Sequence, residues 1–164
     1  MGKFRSALNS GLLKAFIAIA FFSCNLNPQP DLQKEKKEIL LIEAKQRVYH
    51  FTKNAKAFVK NFSKDFLSVS KGEVAHPTTM QIFDRFNAYF NSVEFVKWDD
   101  KKAPIVRFSD DGSLAYVVID KLVVLKMKDK AGHTLSDTSN FAWVSIYRKD
   151  KGGWKGECNI STNK

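Results

Sequence analysis

Cysteine and histidine are scarce in this sequence. Its 164 residues include 2 cysteines and 3 histidines, and the histidines at positions 50, 76 and 133 lie far apart. No Cys or His spacing of the kind that holds a metal ion occurs, so we expect neither a metal nor another cofactor. Cys158 lies on a predicted terminal strand without an evident partner, which predicts a buried, unreactive thiol. These scarcities argue against a metal centre and a disulfide scaffold.

Acidic residues are also few. Asp and Glu number 17 against 27 Lys and Arg, which gives a net charge of +10. Such a balance is typical of proteins that bind nucleic acid. However, the lysines are spread along the chain and form no dense basic block, so nucleic acid is not an expected partner. A solvated cationic surface, weakly attracted to anionic lipid head groups, fits the pattern better.

A long apolar run is missing as well. The stretch from Ala15 to Phe22 is far shorter than the ~20 residues that span a bilayer. It follows three basic residues (Lys3, Arg5 and Lys14) and ends at Ser23 and Cys24, an arrangement typical of an export signal. Because a cysteine directly follows the small residue, the segment resembles a bacterial lipoprotein signal. The resemblance implies that Cys24 is acylated and attaches the protein to a membrane through lipid.

The sequence divides into a signal peptide at residues 1–23, a tether at 24–34 and a folded domain at 35–164. Pro28 and Pro30 favour an extended tether, because proline disfavours helix and strand. The domain has the size of one ordinary domain and contains no internal repeat. An anchored, exported protein belongs to the cell envelope, and the lack of an acidic run after Cys24 favours a periplasm-facing position over the cell surface. A soluble secreted protein is the alternative.

Apolar residues recur at alternating spacings of three and four in the first part of the domain, which predicts amphipathic helices. The predicted buried stripe consists of Leu41, Ala44, Val48, Phe51, Ala55, Phe58 and Phe62. Charged residues, among them Glu35 and Glu43, fall outside this stripe. Because Asn54 can cap a helix, we expect two helices, at residues 32–52 and 55–63, with a bend between them.

The rest of the domain predicts one more helix and a series of strands. Thr78 to Gln81 has the form of a capping box. The apolar face of the helix that it starts consists of Met80, Phe83, Phe86 and Phe90. Strands are predicted at residues 65–70, 105–108, 114–127, 141–147 and 154–162, with a solvated break at 99–102. Helices followed by an antiparallel meander predict an α+β fold, with N-terminal helices packed in a strongly curved antiparallel sheet.

Several short motifs match a known superfamily in their order and spacing. They are Arg47 with His50, then Asn54, then Phe62 with Asp65 and Phe66, and near the end residues 141–148 followed by Gly152-Gly153-Trp154-Lys155. Together they resemble the SnoaL-like, nuclear transport factor 2-like (cystatin-like) superfamily over nearly the whole domain. The resemblance implies a cone, in which a bent sheet wraps around a long helix and leaves an apolar pocket at the open end.

That superfamily includes isomerases, dehydratases, polyketide cyclases and modules that only bind, so the fold does not select a function. Its steroid-isomerase type places a carboxylate base at the end of the first short strand and a tyrosine donor on the first helix. The corresponding positions here are Ser70 and the neighbourhood of Gln46. A serine hydroxyl does not abstract a carbon-bound proton without a base beside it, so no catalytic residue is assigned.

The candidate ligand-pocket residues are His50, Trp98, Tyr116, Asp120 and Trp143. His50, with an ordinary pKa of ~6.5, suits a base or a ligand donor, or else a histidine that only fixes helix against sheet. Asp120 and Lys121 interrupt an apolar strand, so one of them faces the helices unless a bulge intervenes. The three aromatic candidates, together with Tyr147, suit a flat apolar ligand or an ordinary core.

Three functions follow from these observations. The first is an envelope lipoprotein, forming a homodimer, that binds a small apolar or amphipathic molecule in the cone pocket without catalysis. The second is an enzyme of the isomerase, dehydratase or cyclase type with His50 as general base, which requires a carboxylate or a second polar group within hydrogen-bond reach of His50. The third is a structural homodimer with a vestigial pocket, which requires a filled cone and an apolar outer face.

Overall fold

The computed structural model describes residues 30–162. The predictions for the signal peptide, the lipid at Cys24 and most of the tether lie outside these residues. The helices are α1 (Leu32–Phe51), α2 (Ala55–Val59) and α3 (Thr79–Ser92). The strands are β1 (Phe62–Ser70), β2 (Glu73–Ala75), β3 (Val93–Asp100), β4 (Ile105–Phe108), β5 (Leu114–Lys128), β6 (Thr134–Asp150) and β7 (Gly153–Thr162). Within the described range, no helix combines the length and the apolar character needed to cross a membrane.

Most predicted elements are present, but several have different ends. α2 stops at Val59, earlier than predicted, because the chain already enters β1 at Phe62 and pairs with β7. β3 continues through Asp99 and Asp100, where the sequence predicts a break, because both residues pair with β5. β6 begins at Thr134, well before the predicted start at residue 141, because residues 134–148 all pair with β5.

The strands form one curled, unclosed sheet in the order β2-β1-β7-β6-β5-β3. β3 and β4 lie end to end along the same edge of β5. Every pair is antiparallel except β1 with β7, which is parallel and departs from the purely antiparallel prediction. Irregularities in β3 and between β6 and β7 add local bending, because an extra residue in one strand increases twist. The predicted α+β class is confirmed.

The face of α1 that is buried against the sheet is mainly polar, which corrects the prediction from the apolar stripe. The buried residues of α1 are Glu35, Ile39, Glu43 and His50. Leu41 and Val48, two members of the predicted stripe, are 55% and 54% exposed. The helix therefore turns its polar side toward the concave face of the sheet, where hydrogen-bonding partners meet it.

Glu35, in the first turn of α1, is held by the hairpin between β6 and β7. Its Oε2 accepts a hydrogen bond from Trp154 Nε1 at 2.7 Å, and its Oε1 lies 2.6 Å from Lys149 Nζ. The bond from Lys149 lowers the pKa of Glu35 despite the opposing effect of burial. The carboxylate is tolerated in the interior because both of its oxygens have partners.

Two apolar clusters fill the concave side of the sheet. The cluster beneath α2 and α3 includes Phe58, Phe66, Ile82, Phe90, Phe95 and Trp98. The cluster beneath α1 consists of Ile39, Val106, Ala115, Val117, Ile119, Tyr147 and Trp154. Phe83 and Phe86 of α3 pack against the first cluster as predicted, whereas Met80 is 66% exposed. Met80 lies in the first turn of the helix, outside the reach of this cluster.

The local signals for helix starts are confirmed. The Thr78 hydroxyl accepts from the backbone N–H of Gln81, and the Gln81 side chain accepts from the N–H of Thr78, which completes the capping box. Asn54 accepts from the N–H of Ala57 and caps α2. Asp31 caps α1 in the same way. Each cap satisfies backbone amides that have no partner inside the helix.

The turn before β5 requires glycine at position 112. Gly112 has a φ of 67°, in the left-handed region that side chains rarely adopt. A Cβ at this position would also lie 2.5 Å from Cγ of Pro30. Pro30 therefore packs directly on this turn, which fixes the direction in which the chain enters α1.

Candidate functional site

A cavity of about 370 Å³ lies between the three helices and the concave face of β1, β6 and β7. Nine aromatic side chains line it: Phe58, Phe62, Phe66, Phe86, Tyr89, Trp98, Phe141, Trp143 and Tyr147. The volume falls in the range of about 300–1,000 Å³ that is usual for small-molecule sites. The cone is therefore open and can receive a ligand.

One wall of the cavity is polar. It carries the small side chains Ser68, Ser70, Ser145, Asn159 and Ser161 from β1, β6 and β7. Asn159 is the cross-strand neighbour of both Ser68 and Ser145, and its Nδ2 donates to Ser145 Oγ at 3.3 Å. Because residues two apart on a strand share a face, the wall continues to Ser70 and Ser161. The cavity thus pairs an aromatic side with a side rich in hydroxyl and amide groups.

His50 lies on the aromatic side, and 2% of its surface is exposed. Its ring stacks on Trp98 with centroids 3.8 Å apart and also contacts Phe58, Phe90 and Phe95. Nδ1 lies 2.7 Å from the backbone oxygen of Gln46. Because that carbonyl only accepts, Nδ1 carries the proton and Nε2 keeps its lone pair. Burial lowers the pKa of His50 to about 4, so the ring is neutral at pH 7.

A buried polar network next to His50 was not predicted from the sequence. Tyr147, whose hydroxyl donates to Glu43 Oε1 at 2.6 Å, also accepts from Gln46 Nε2 at 3.2 Å. Glu43 Oε2 is buried without a hydrogen-bond partner among the described residues. Burial raises the pKa of Glu43 to about 7 and the pKa of Tyr147 well above its ordinary value.

A helical spacing in the sequence could have indicated this network. Its α1 members belong to the series Glu35, Ile39, Glu43, Gln46 and His50, whose members recur every three or four residues. That series forms a second stripe opposite the apolar one. Since glutamate is rarely buried unless it is paired, hydropathy alone assigns this stripe to solvent.

Asp120 does not line the cavity, which corrects its assignment as a pocket residue. Its carboxylate faces outward and lies 3.4 Å from Lys101 Nζ. Lys121 is the inward-facing member of the pair, and it is buried in contact with Asp100. Tyr116 is also outside the cavity, on the exposed face of β5. Strict alternation along β5 explains both placements, because no bulge interrupts its pairing with β6.

The remaining predicted pocket residues meet in one place. Trp98 from β3 and Trp143 from β6 both line the cavity beside His50, with ring centroids of the two tryptophans 6.0 Å apart. Cys158 is buried, as expected, and burial raises the pKa of its thiol. Among residues 30–162, no group of His, Cys, Asp and Glu is placed to hold a metal ion.

Comparison with known proteins adds structural matches only. No protein-family profile and no curated protein matches the chain. A protein of Novosphingobium aromaticivorans, described as nuclear transport factor 2-like with a cystatin-like fold, aligns with a TM-score of 0.60 and 15% identity, over 80% of this chain and 83% of its own. This chain has the nuclear transport factor 2-like fold.

Other proteins with the nuclear transport factor 2-like fold carry different functional descriptions. A candidate dehydratase from Streptomyces avermitilis aligns with a TM-score of 0.66 and 9% identity, over 80% of this chain and 98% of its own. A candidate calcium/calmodulin-dependent protein kinase II association domain from Xanthomonas campestris aligns with a TM-score of 0.56 and 18% identity, over 77% and 86%. At such identities the likeness establishes the fold, and the function has to be argued from the site.

Proposed function

We propose that this protein is an envelope lipoprotein whose cone cavity binds a small amphipathic molecule without chemistry at His50. The observation that carries the proposal is the open cavity, with aromatic rings on one side and five small polar side chains on the other. An apolar body can contact the rings while polar substituents bond to the serine and asparagine wall. The export signal and Cys24 support the envelope position and attachment to a membrane through lipid.

The surroundings of His50 favour binding over catalysis by this residue. A general base works best when its pKa lies near the working pH, whereas burial lowers the pKa of His50 to about 4. Its Nδ1 bonds to a backbone carbonyl, and no described carboxylate bonds to the ring. The proton-transfer arrangement that an isomerase or dehydratase with His50 as base requires is therefore not assembled around this ring.

The homodimer is part of the proposal, but a purely structural role is not. A structural dimer with a vestigial pocket requires a filled cone, and the cavity of about 370 Å³ argues against that alternative. One fold relative is described as a candidate association domain, which is a weak support for the homodimer proposed here. Native mass spectrometry of protein purified from its own envelope measures subunit number and any retained ligand together.

Uptake of a neutral apolar dye, N-phenyl-naphthylamine, tests the cavity. Wild-type protein is expected to enhance its fluorescence saturably. Ser70→Trp places a large ring in the cavity wall at the end of β1 and should weaken uptake at least fivefold, since the ring occupies space that the dye needs. Tyr116→Trp, on the exposed face of β5, is the matched control and should bind like wild type. Equal binding by both variants would contradict a cavity site.

Cys24→Ala tests the anchor. The variant should appear in the soluble fraction or accumulate as an unprocessed precursor, because the acylated thiol is missing. Intact mass and membrane fractionation measure this directly. Unchanged mass together with unchanged membrane retention would contradict the lipoprotein proposal while leaving the cavity proposal in place.

A further inference from the structure

One charged side chain reaches the cavity wall. Within residues 30–162, the lining side chains include Arg85 of α3 and no carboxylate. His50, the other basic group there, is neutral at pH 7 because burial lowers its pKa to about 4. The cavity therefore presents a positive charge to a ligand, with no negative charge on its wall to balance it.

Arg85 has no anionic partner among residues 30–162. It takes part in none of the ion pairs found among the described residues. Its guanidinium carbon lies 4.9 Å from the centre of the Phe86 ring, which holds the group against the aromatic side of the cavity. Arg85 is exposed overall; partial burial lowers the pKa of its guanidinium, and no described residue pairs with it as a counter-charge.

The hydroxyl group of Tyr89 adds a neutral hydrogen-bond donor near Arg85. Tyr89 lies one helical turn after Arg85 and also lines the cavity. Burial raises the pKa of Tyr89 to about 12, so its hydroxyl keeps its proton.

Arg85 also borders a smaller hollow with His76 and Gln81, where solvent can reach it. The cation thus lies between the cavity and the surface, the position for the charged end of an amphipathic molecule.

We propose that the cavity selects amphipathic acids, with the apolar body among the aromatic rings and the acidic group, a carboxylate, sulfonate or phosphate, paired with Arg85. This inference rests on the proposed ligand-binding function and specifies its ligand class. A guanidinium can form two parallel hydrogen bonds to such a group, which a neutral ligand end cannot match.

Two dyes that differ only in charge test the inference. Anilinonaphthalene sulfonate is N-phenyl-naphthylamine with one added sulfonate. Arg85→Gln should weaken binding of the sulfonate dye about tenfold, as expected for loss of one charge-assisted contact, and change binding of the neutral dye less than twofold. Arg85→Lys should restore part of the loss. Arg107→Gln, an equal charge change on β4 outside the cavity, should leave both dyes unaffected.

The outcomes separate the two proposals. If wild-type protein does not bind the neutral dye, the ligand-binding function is wrong and the inference falls with it. If the neutral dye binds but Arg85→Gln weakens both dyes equally, or neither, only the preference for acids is wrong. Added salt supplies a second readout, because it should weaken the sulfonate dye in wild type and have less effect in Arg85→Gln.

Discussion

His50 is an ionisable residue that the protein keeps neutral. Its ring is enclosed by Trp98 and three phenylalanines, and its one identified hydrogen bond in the described structure goes to the Gln46 carbonyl. That carbonyl belongs to the α1 backbone and can also accept the helical bond from the N–H of residue 50. Loss of the imidazole therefore does not leave a buried acceptor without a partner.

We expect His50→Phe to fold with a stability within about 1 kcal/mol of wild type, because an apolar ring of similar size replaces the imidazole in an aromatic environment. His50→Ala should lose roughly 3 kcal/mol, since it leaves a hole among the same rings. Urea unfolding at neutral pH measures both. A loss above about 3 kcal/mol for His50→Phe would show that His50 belongs to the polar network of Glu43 and Tyr147.

Asp100 and Asp120 are close in space and differ in the burial of their partners. Lys121, the partner of Asp100, is almost fully buried, whereas Lys101 and Asp120 are both partly exposed. Asp100→Asn should destabilise the protein by about 3 kcal/mol, because it leaves a buried ammonium group without its counter-charge. Asp120→Asn should change stability by less than about 1 kcal/mol. Thermal unfolding of the two variants side by side checks this, and equal effects would contradict it.

At the scale of the elements, apolar character and burial do not coincide in α1. Its apolar residues Leu41 and Val48 face outward, and its acidic residues Glu35 and Glu43 face inward. The inward glutamates are accommodated because Trp154, Lys149 and Tyr147 approach them from strands that lie more than a hundred residues later in the chain. The orientation of the helix is thus decided by the sheet.

The effect of substitutions in α1 on stability should follow the observed burial of each residue, and not its membership of the apolar stripe in the sequence. Leu41→Gln should change the free energy of unfolding by less than about 1 kcal/mol, because the side chain is already in solvent. Ile39→Ala should lower it by about 3 kcal/mol, since Ile39 is fully buried against β5 residues. Chemical denaturation measures both. A large loss for Leu41→Gln would indicate that another surface covers this face of α1.

The same helix marks the limit of what the sequence could predict. Caps and turns depend on neighbouring residues, so Thr78 with Gln81, and the turn before β5, were predictable from local spacing. The α+β class followed from periodicity together with the family resemblance, whereas the parallel pairing of β1 with β7 did not. The spacing of Glu35, Ile39, Glu43, Gln46 and His50 marks a second helical stripe, but the sequence alone does not turn it inward, because the partner of Glu43, Tyr147, is distant in sequence and a buried carboxylate is unusual.

For the molecule as a whole, His50 and Glu43 give opposite dependences of stability on pH. The pKa of His50 is about 4 in the folded state, below its ordinary value, so His50 stabilises the fold at high pH and loses that contribution as pH falls from about 6.5 to 4. The pKa of Glu43 is about 7, above its ordinary value, so its contribution is lost as pH rises from about 4.5 to 7. The two changes nearly cancel in wild type.

A variant that lacks one of the two groups should show the pH dependence of stability that the other group contributes. Between about pH 4 and 8, the stability of Glu43→Gln relative to wild type should rise by roughly 3 kcal/mol, because the variant no longer desolvates a carboxylate at high pH. His50→Phe should show the reverse trend of similar size. Denaturant unfolding across this range provides the measurement. Parallel profiles for wild type and both variants would contradict titration of these groups in the folded protein.

The contact of Glu35 with the β6–β7 hairpin has a mechanical consequence. Tension applied to the chain upstream of Pro30 enters α1 at its first turn, where Trp154 and Lys149 hold Glu35 to the sheet. The load therefore passes into the hairpin before it reaches Gln46 and His50, about 16 Å and about 22 Å further along the helix axis. We therefore expect a pull on the N-terminal segment to load the contact between Glu35 and the β6–β7 hairpin before it can displace the part of α1 that lines the cavity.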